Sequence, residues 1–317
     1  MPVTEPSAPT RASPDAPELP AVGVGCAALG NLFRASSDAS ARSLLDRAWE
    51  RGIRFFDTAP HYGPGDSERR LGEFLARVPR AEAVVSTKVG RLVVPDSDPY
   101  AEHEPMFVVS NGLSRRTDFS APAIHQSVEE SLGRLGLDYL DLALLHDPDH
   151  HLDQARAEAL PALMELRAAG LVRQIGLGTN SDDVAVQLAA AGDLDVVLLA
   201  GRYTLLSPHA PALLPVAATT NTRVIAAGIF NSGILANPDG LYDYGAVPAG
   251  VVRTLDRLRT VCAAHGVALP AAAAQFVARE TRIATVLLGP ASADQLDQVL
   301  DWLAEPLPAS FWAEVTR

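Results

Sequence analysis

The stretch "GVGCAALGNLFRASSDAS", residues 23–40, decides between two folds. Its first six letters fit G-x-G-x-x-A, the turn that opens a doubly wound dinucleotide-binding fold. That turn needs a helix to start at the glycines. Here Leu29 to Ala35 intervene, and helix-capping residues first appear between Ser36 and Ser40. A strand that runs into a long loop before its helix fits a (β/α)8 barrel, where such loops build one rim.

The rest of the chain carries the same alternation. Apolar runs occur at "VGVGCA" (22–27), "FFDTA" (55–59), "VVSTK" (84–88), "LALLH" (142–146), "IGLGT" (175–179), "VVLLA" (196–200), "VIAAG" (224–228) and "TVLLG" (285–289). They are continuously apolar, as parallel strands buried on both faces require. Amphipathic stretches fall between them, such as "SDASARSLLDRAWERG" (37–52) and "ASADQLDQVLDWLA" (291–304). "SPHAPALLPVAATT" (207–220) is the weakest of these because of its prolines. Eight strands, each followed by helix, predict a (β/α)8 TIM barrel over residues 20–317. The Pro-, Ala- and Ser-rich residues 1–19 read as a disordered tail. Two long inserts, 90–120 and 229–248, leave C-terminal strand ends, so they are expected to wall a pocket.

Composition narrows the partners. The 317 residues carry a net charge of −12, which repels phosphate backbones and argues against nucleic acid. No run reaches the length of a membrane span, and no signal-like segment opens the chain, so no membrane is expected. The cysteines, Cys26 and Cys262, are far apart, as in a reducing cytoplasmic protein. No metal is expected, since the adjacent His150 and His151 chelate one ion poorly. Among 26 basic residues there is one lysine, Lys88; a general bias toward arginine is the bland reading, and against that bias the exception points to a charge that is compact or tunable.

Four polar residues stand at neighbouring strand ends: Asp57 and Tyr62 after the second strand, Lys88 at the third and His146 at the fourth. Singly, each has an ordinary reading as a cap, a loop-packing ring, a chance lysine or a core histidine. Together they form a proton-handling set. An ammonium favours the phenolate and lowers a tyrosine pKa. Asp57 can hold that ammonium, and His146 can orient an oxygen that exchanges its proton with Tyr62. Such a set moves a proton while something else moves a hydride.

In "FFDTAPHYGPGDSERRLGEFL", "VVSTKVGR" and "SLGRLGLDYLDLALLHDPD" the sequence resembles the aldo-keto reductases, over roughly residues 20–305. The resemblance implies a barrel, a nicotinamide cofactor held without a Rossmann fold, and Asp57, Tyr62, Lys88 and His146 as the catalytic tetrad. "AALGNLF", "LLHDPD", "LLAGRYTLL" and "IAAGIFNSGIL" are similar to the aldose 1-dehydrogenase branch, whose members oxidise C1 of a cyclic sugar to a lactone. The resemblance assigns Thr179 and Asn180 to the nicotinamide amide. It assigns Phe230, Asn231, Ser232 and Gly233 to the pyrophosphate, and Gly289, Ser292 and Gln295 to the adenosine end. Ala227 stands where many members stack an aromatic ring on the nicotinamide, which leaves Tyr203 as the candidate ring.

The stretch 289–299 has no basic residue to meet a 2′-phosphate, so the expected cofactor is NAD. NADP is the alternative, through Arg279 or Arg282. The expected partner is a small carbonyl, sugar or lactol substrate, and the expected assembly a monomer or small homo-oligomer. Two other functions compete: an NADPH-dependent aldehyde or ketone reductase, and a low-turnover cofactor-binding sensor.

Overall fold

The computed structural model describes residues 17–315. Eight parallel strands close a barrel: β1 (Val22–Gly25), β2 (Phe55–Asp57), β3 (Val84–Val89), β6 (Leu140–His146), β7 (Val172–Thr179), β8 (Val196–Ala200), β9 (Arg223–Ala227) and β10 (Ile283–Leu288). Their order is that of the chain, with β10 returning to β1. The intervening β4 (Arg91–Pro95) and β5 (Leu113–Thr117) form a separate antiparallel hairpin inside the first insert. All eight predicted strands are barrel strands.

The outer layer consists of α1 (Asp38–Glu50), α2 (Asp66–Leu75), α3 (Ala121–Leu135), α4 (Leu152–Gln154), α5 (Leu160–Ala168), α6 (Asp182–Ala189), α7 (Leu213–Thr220), α8 (Ala249–Ala264), α9 (Leu269–Ala278), α10 (Ala293–Ala304) and α11 (Ala309–Val315). A π-helical turn over Ala155–Ala159 joins α4 to α5. Some helix starts carry a serine cap: Ser37 accepts from Ser40 N, and Ser181 from Val184 N. The helix expected from residue 207 begins only at Leu213, since Pro208 and Pro211 keep the preceding residues out of it. The sequence reading anticipates neither the hairpin nor α11.

A strand buried on both faces still alternates, and here the alternation sorts the core. Phe55, Val84, Leu142, Leu144, Val196, Leu198, Ile225 and Leu287 point into the barrel and pack together. Their neighbours Phe56, Val85, Ala143, Leu145, Val197 and Leu288 pack outward against the helices. Counting on by two from the inward set reaches Asp57, Ser86, Lys88 and His146. The same parity that fills the barrel therefore aims these polar side chains into its C-terminal mouth.

The opposite end is closed by the last residues assigned to the tail from composition and by Pro20, the first of the predicted barrel. Pro17 O accepts from Arg223, Leu19 packs on the inward cluster, and Pro20 O accepts from Thr285 Oγ1 at 2.7 Å. The remaining predicted tail, residues 1–16, lies outside the described residues.

The loop after β1 has its own anchors. A 3-10 turn over Ala27–Gly30 ends at Asn31, which has φ of 66°. Buried Arg70 then donates to Leu29 O, to Asn31 Oδ1 at 3.0 Å and to Ser36 O at 2.8 Å. Gly30 lies against the backbone after β2: a Cβ there would stand 2.3 Å from Tyr62 C.

Beside β3, Glu68 is fully buried and doubly bonded. It accepts from Thr87 Oγ1 at 2.6 Å and from Arg134 Nε at 2.6 Å, tying β3 to α2 and α3. Removing one partner of a buried ion pair strands the other. Arg134→Met should therefore cost about 3–5 kcal/mol in urea unfolding, and adding Glu68→Gln should recover part of it. An unchanged unfolding midpoint for Arg134→Met would show that the pair holds nothing.

Candidate active site

Lys88 is the centre of the site. Its Nζ donates to Asp57 Oδ2 at 2.8 Å, to Thr58 O at 2.9 Å and to Tyr62 OH at 3.0 Å. Asp57 is held from its other side, where Ser86 Oγ donates to Oδ1 at 2.6 Å. The stem of Lys88 passes over Gly178, where a Cβ would approach Lys88 Cε to 3.3 Å. The strand register sets this up, with Asp57 opposite Ser86, Lys88 opposite Leu144, and His146 opposite Gly178.

The electrostatics follow from burial. Burial alone would lower the Lys88 pKa, but Asp57 and Tyr62 outweigh it and hold the ammonium charged. Burial pushes the Tyr62 phenol up to about 12, and Lys88 pulls it down without cancelling that effect. This corrects the sequence expectation. The ammonium does favour the phenolate, yet the buried phenol still titrates above an ordinary tyrosine. Burial first, then Arg91 and Lys88, keep His146 well below its usual range, so it is neutral. The Tyr62 and His146 rings lie 5.9 Å apart, edge to face.

Sequence reasoning missed several side chains that share this mouth. His61 lies in a ring cluster with Tyr62, His146 and Phe107, and Phe107 stacks on Tyr62 at 5.8 Å. Phe107 comes from the first insert, which pairs with the β1 loop through Phe33 N→Met106 O at 2.7 Å and Val108 N→Asn31 O at 3.0 Å. The hairpin delivers Arg91, paired with Asp147 at 2.8 Å, and Arg115, paired with Glu104 at 2.9 Å. Arg91 alternates on β4 with the buried Leu92 and Val94, and Arg115 of β5, opposite Val93, shares the face of Arg91. That alternation was the signal available in "RLVVP".

From the second insert, Tyr244 meets Phe33 at 6.1 Å, and Asp243 pairs with Arg202 at 3.1 Å. Both inserts therefore reach the mouth, as their exit points implied.

The predicted cofactor residues fare unevenly. Thr179 is buried at the end of β7 and accepts from Ser181 N at 3.0 Å, with exposed Asn180 beside it. Tyr203 does not join them. Its ring packs on Phe276 at 4.9 Å, among the residues between strands and helices, so the geometry does not support it as the stacking ring. Phe230 likewise leans on Trp302 at 6.2 Å. In "FNSG" the N–H groups of Asn231 and Gly233 close turns onto Gly228 O and Phe230 O, and Ser232 Oγ accepts from Tyr244 N. Only part of that backbone is left for an anion. Gly289 is exposed at the end of β10. Ser292 caps α10, its Oγ accepting from Gln295 N at 3.3 Å, and Gln295 Oε1 reaches back to accept from Ala291 N at 2.8 Å, one residue before the cap. The Gln295 oxygen is thus committed to starting α10. Among the described residues, no cluster of three or more His, Cys, Asp or Glu side chains has metal-binding geometry. No single described helix is long and apolar enough to cross a membrane.

Comparison with known proteins agrees with this architecture. The model of the aldo/keto reductase family matches residues 21–317. The chain is 45% identical over 308 residues to a D-threo-aldose 1-dehydrogenase from Pseudomonas sp, covering 94% of each sequence. It is 37% identical to a pyridoxal 4-dehydrogenase from Microbacterium luteolum, covering 92% of each. Among solved structures, an aldo-keto reductase from Bacillus halodurans in its holo form superposes with a TM-score of 0.72 at 25% identity, covering 93% of this chain and 90% of that one. A buried Lys-Asp-Tyr cluster at the mouth of a closed parallel barrel, matched over nearly the full chain, has one family reading: the protein belongs to the aldo/keto reductases, nicotinamide-dependent oxidoreductases acting on CH–OH groups.

Proposed function

We propose that the chain oxidises the C1 hemiacetal of an aldose, or a similar lactol, to a lactone, with NAD as hydride acceptor. The observation that carries the reading is the Lys88 ammonium held 3.0 Å from Tyr62 OH and 2.8 Å from Asp57. Its likeness to the D-threo-aldose 1-dehydrogenase supports the substrate class.

The residues fit a nicotinamide dinucleotide. Asn231 keeps a buried Oδ1 without a partner among the described groups, and α10 opens its N-terminus beside Gly289. Thr179 and Asn180 would hold the amide end, the 230–233 turn the pyrophosphate, and residues 289–295 the adenosine. When bound, the nicotinamide supplies the hydride acceptor. The protein's own part is proton handling. Tyr62, as phenolate, takes the proton of the anomeric hydroxyl while the hydride leaves C1, and the C1–O bond becomes a carbonyl. Lys88 stabilises the phenolate, Asp57 fixes Lys88, and neutral His146 orients the oxygen.

The choice of NAD rests on charge. The first turn of α10 carries Asp294 and no cation. Arg279 and Arg282 precede β10, whereas 289–295 follow it, so the length of the strand, about 20 Å, separates them. Arg282 is also paired with Glu280 at 2.7 Å, and Arg279 lies over Trp312 at 4.5 Å. NAD+ should therefore bind about tenfold or more tightly than NADP+ in fluorescence titration. Tighter NADP+ binding would defeat this assignment.

Tyr62→Phe keeps the stack on Phe107 but removes the proton carrier. Turnover should fall about a hundred- to ten-thousandfold while NAD+ affinity holds. Near-normal turnover would sink the mechanism. Because the phenol is pushed up to about 12, the phenolate fraction grows with pH throughout the ordinary range. Oxidation rates should climb between about pH 7 and 10, without an acidic limb from His146. A flat profile there would argue against Tyr62 as the base. The substrate class is tested with L-fucose, D-arabinose, L-galactose, D-glucose and pyridoxal, following reduced nicotinamide. Reduction of simple aldehydes by NADPH with no aldose oxidised would favour the reductase reading instead.

A further inference from the structure

The tetrad leaves one imidazole of the site without a task. His61 precedes Tyr62 and is only 5% exposed. Its ring stands 6.1 Å from Tyr62, 5.7 Å from His146 and 5.0 Å from Phe107. With Tyr62 and His146 themselves 5.9 Å apart, the phenol and two imidazoles form a nearly equilateral triangle. The reacting oxygen, if Tyr62 and His146 handle it, sits beside all three.

The protonation of His61 follows from its neighbours. Burial first, then Arg91, Arg115 and Lys88, press its pKa down to about 2, so the ring is neutral with one N–H and one lone pair. A guanidinium can only donate. Arg115 Nη1 faces Nε2 at 3.5 Å, and Glu104 Oε2, 3.8 Å from Nε2, is already taken by Arg115 at 2.9 Å, so this side of the ring favours a lone pair on Nε2 and the proton on Nδ1. Arg115 cannot easily turn away, being paired with Glu102 at 3.2 Å and Glu104 at 2.9 Å. The Nδ1 atom is buried, and no described group accepts from it. A buried donor is ordinarily satisfied.

The charges around the site are matched among themselves: Lys88 with Asp57, Arg91 with Asp147, Arg115 with Glu104. A ligand there gains more from neutral hydroxyls than from a net charge. In a vicinal diol the second oxygen lies next to the first. A donor flanking the first oxygen's position is therefore placed to meet the second.

We propose that His61 Nδ1–H donates to the hydroxyl on the carbon next to the reacting carbon, so that this residue selects α-hydroxy carbonyls or their closed 2-hydroxy lactols over 2-deoxy analogues. The proposal rests on the assignment of Tyr62 and His146 as the groups that handle the reacting oxygen.

The test compares kcat/KM for an oxidised aldose and its 2-deoxy analogue in wild type, His61→Leu and His61→Asn. Wild type should favour the 2-hydroxy sugar about ten- to hundredfold. His61→Leu should bring the ratio close to one by losing rate on the 2-hydroxy sugar alone. Asparagine places an N–H near the former Nδ1, so His61→Asn should restore part of the preference. An equal loss on both substrates, or a wild type that does not discriminate, overturns the proposal. If no aldose is oxidised, the lactol reading fails separately. Hydroxyacetone against acetone in the reductive direction then gives the same comparison, and its outcomes count in the same way. If His61→Leu does not fold, Arg115→Met takes its place. It frees the imidazole to exchange tautomers while leaving the tetrad intact, and should also shrink the ratio; an unchanged ratio counts against the proposal.

Discussion

A single buried ammonium organises the mouth of this barrel. Lys88 is 2% exposed, far from the water that would normally solvate it. It survives as a cation because three oxygens, from Asp57, Thr58 and Tyr62, replace that water. Each of those oxygens is supplied by the few residues around the end of β2. Displace that strand end, and the lysine loses its charge or its place. Arginine, planar and forked, has no such fit beside Gly178. The absence of arginine at this position follows from that geometry.

Keeping the strand ends in register falls to acids lower in the barrel wall. Asp141 accepts from Val85 N at 2.9 Å and pairs with Arg80 at 2.7 Å, bridging β6 to β3. Asp195 does the same for Ile175 N and Arg167, both at 2.9 Å. Glu68 holds Thr87, the residue before Lys88. These carboxylates sit outside the site: Asp141 and Asp195 act through the backbone they pin, and Glu68 through the Thr87 hydroxyl.

Much of this was legible in the sequence because its signals are local and periodic. The strands announced themselves as apolar runs, and the parity within each run fixes which polar residue turns inward. The meeting of Asp57, Tyr62, Lys88 and His146 therefore followed once the fold was read. Cofactor contacts were less legible, since they depend on what a residue's neighbours already occupy. Gln295 reads as a free amide until the N-terminus of α10 is seen to claim its oxygen. Tyr203 reads as a free ring until Phe276 covers it. His61 was hidden by the opposite problem. Its neighbours Phe107 and Arg115 arrive from an insert about fifty residues away, and no pattern in one stretch encodes that meeting. The tyrosine's acidity also could not be read from its partner alone, because burial outweighs the ammonium.

The contact between Gly30 and the backbone of Tyr62 has a mechanical side. With no side chain between them, the β1 loop and the loop bearing the phenol are pressed backbone to backbone, and Arg70 clamps the former. The first insert is stitched to that same loop through Met106 and Val108. One half of the entrance is thus tied to the loop that carries the reactive phenol. The other half is the segment after β9. It reaches across through Tyr244 and is moored to the β8 loop by the exposed pair of Asp243 and Arg202.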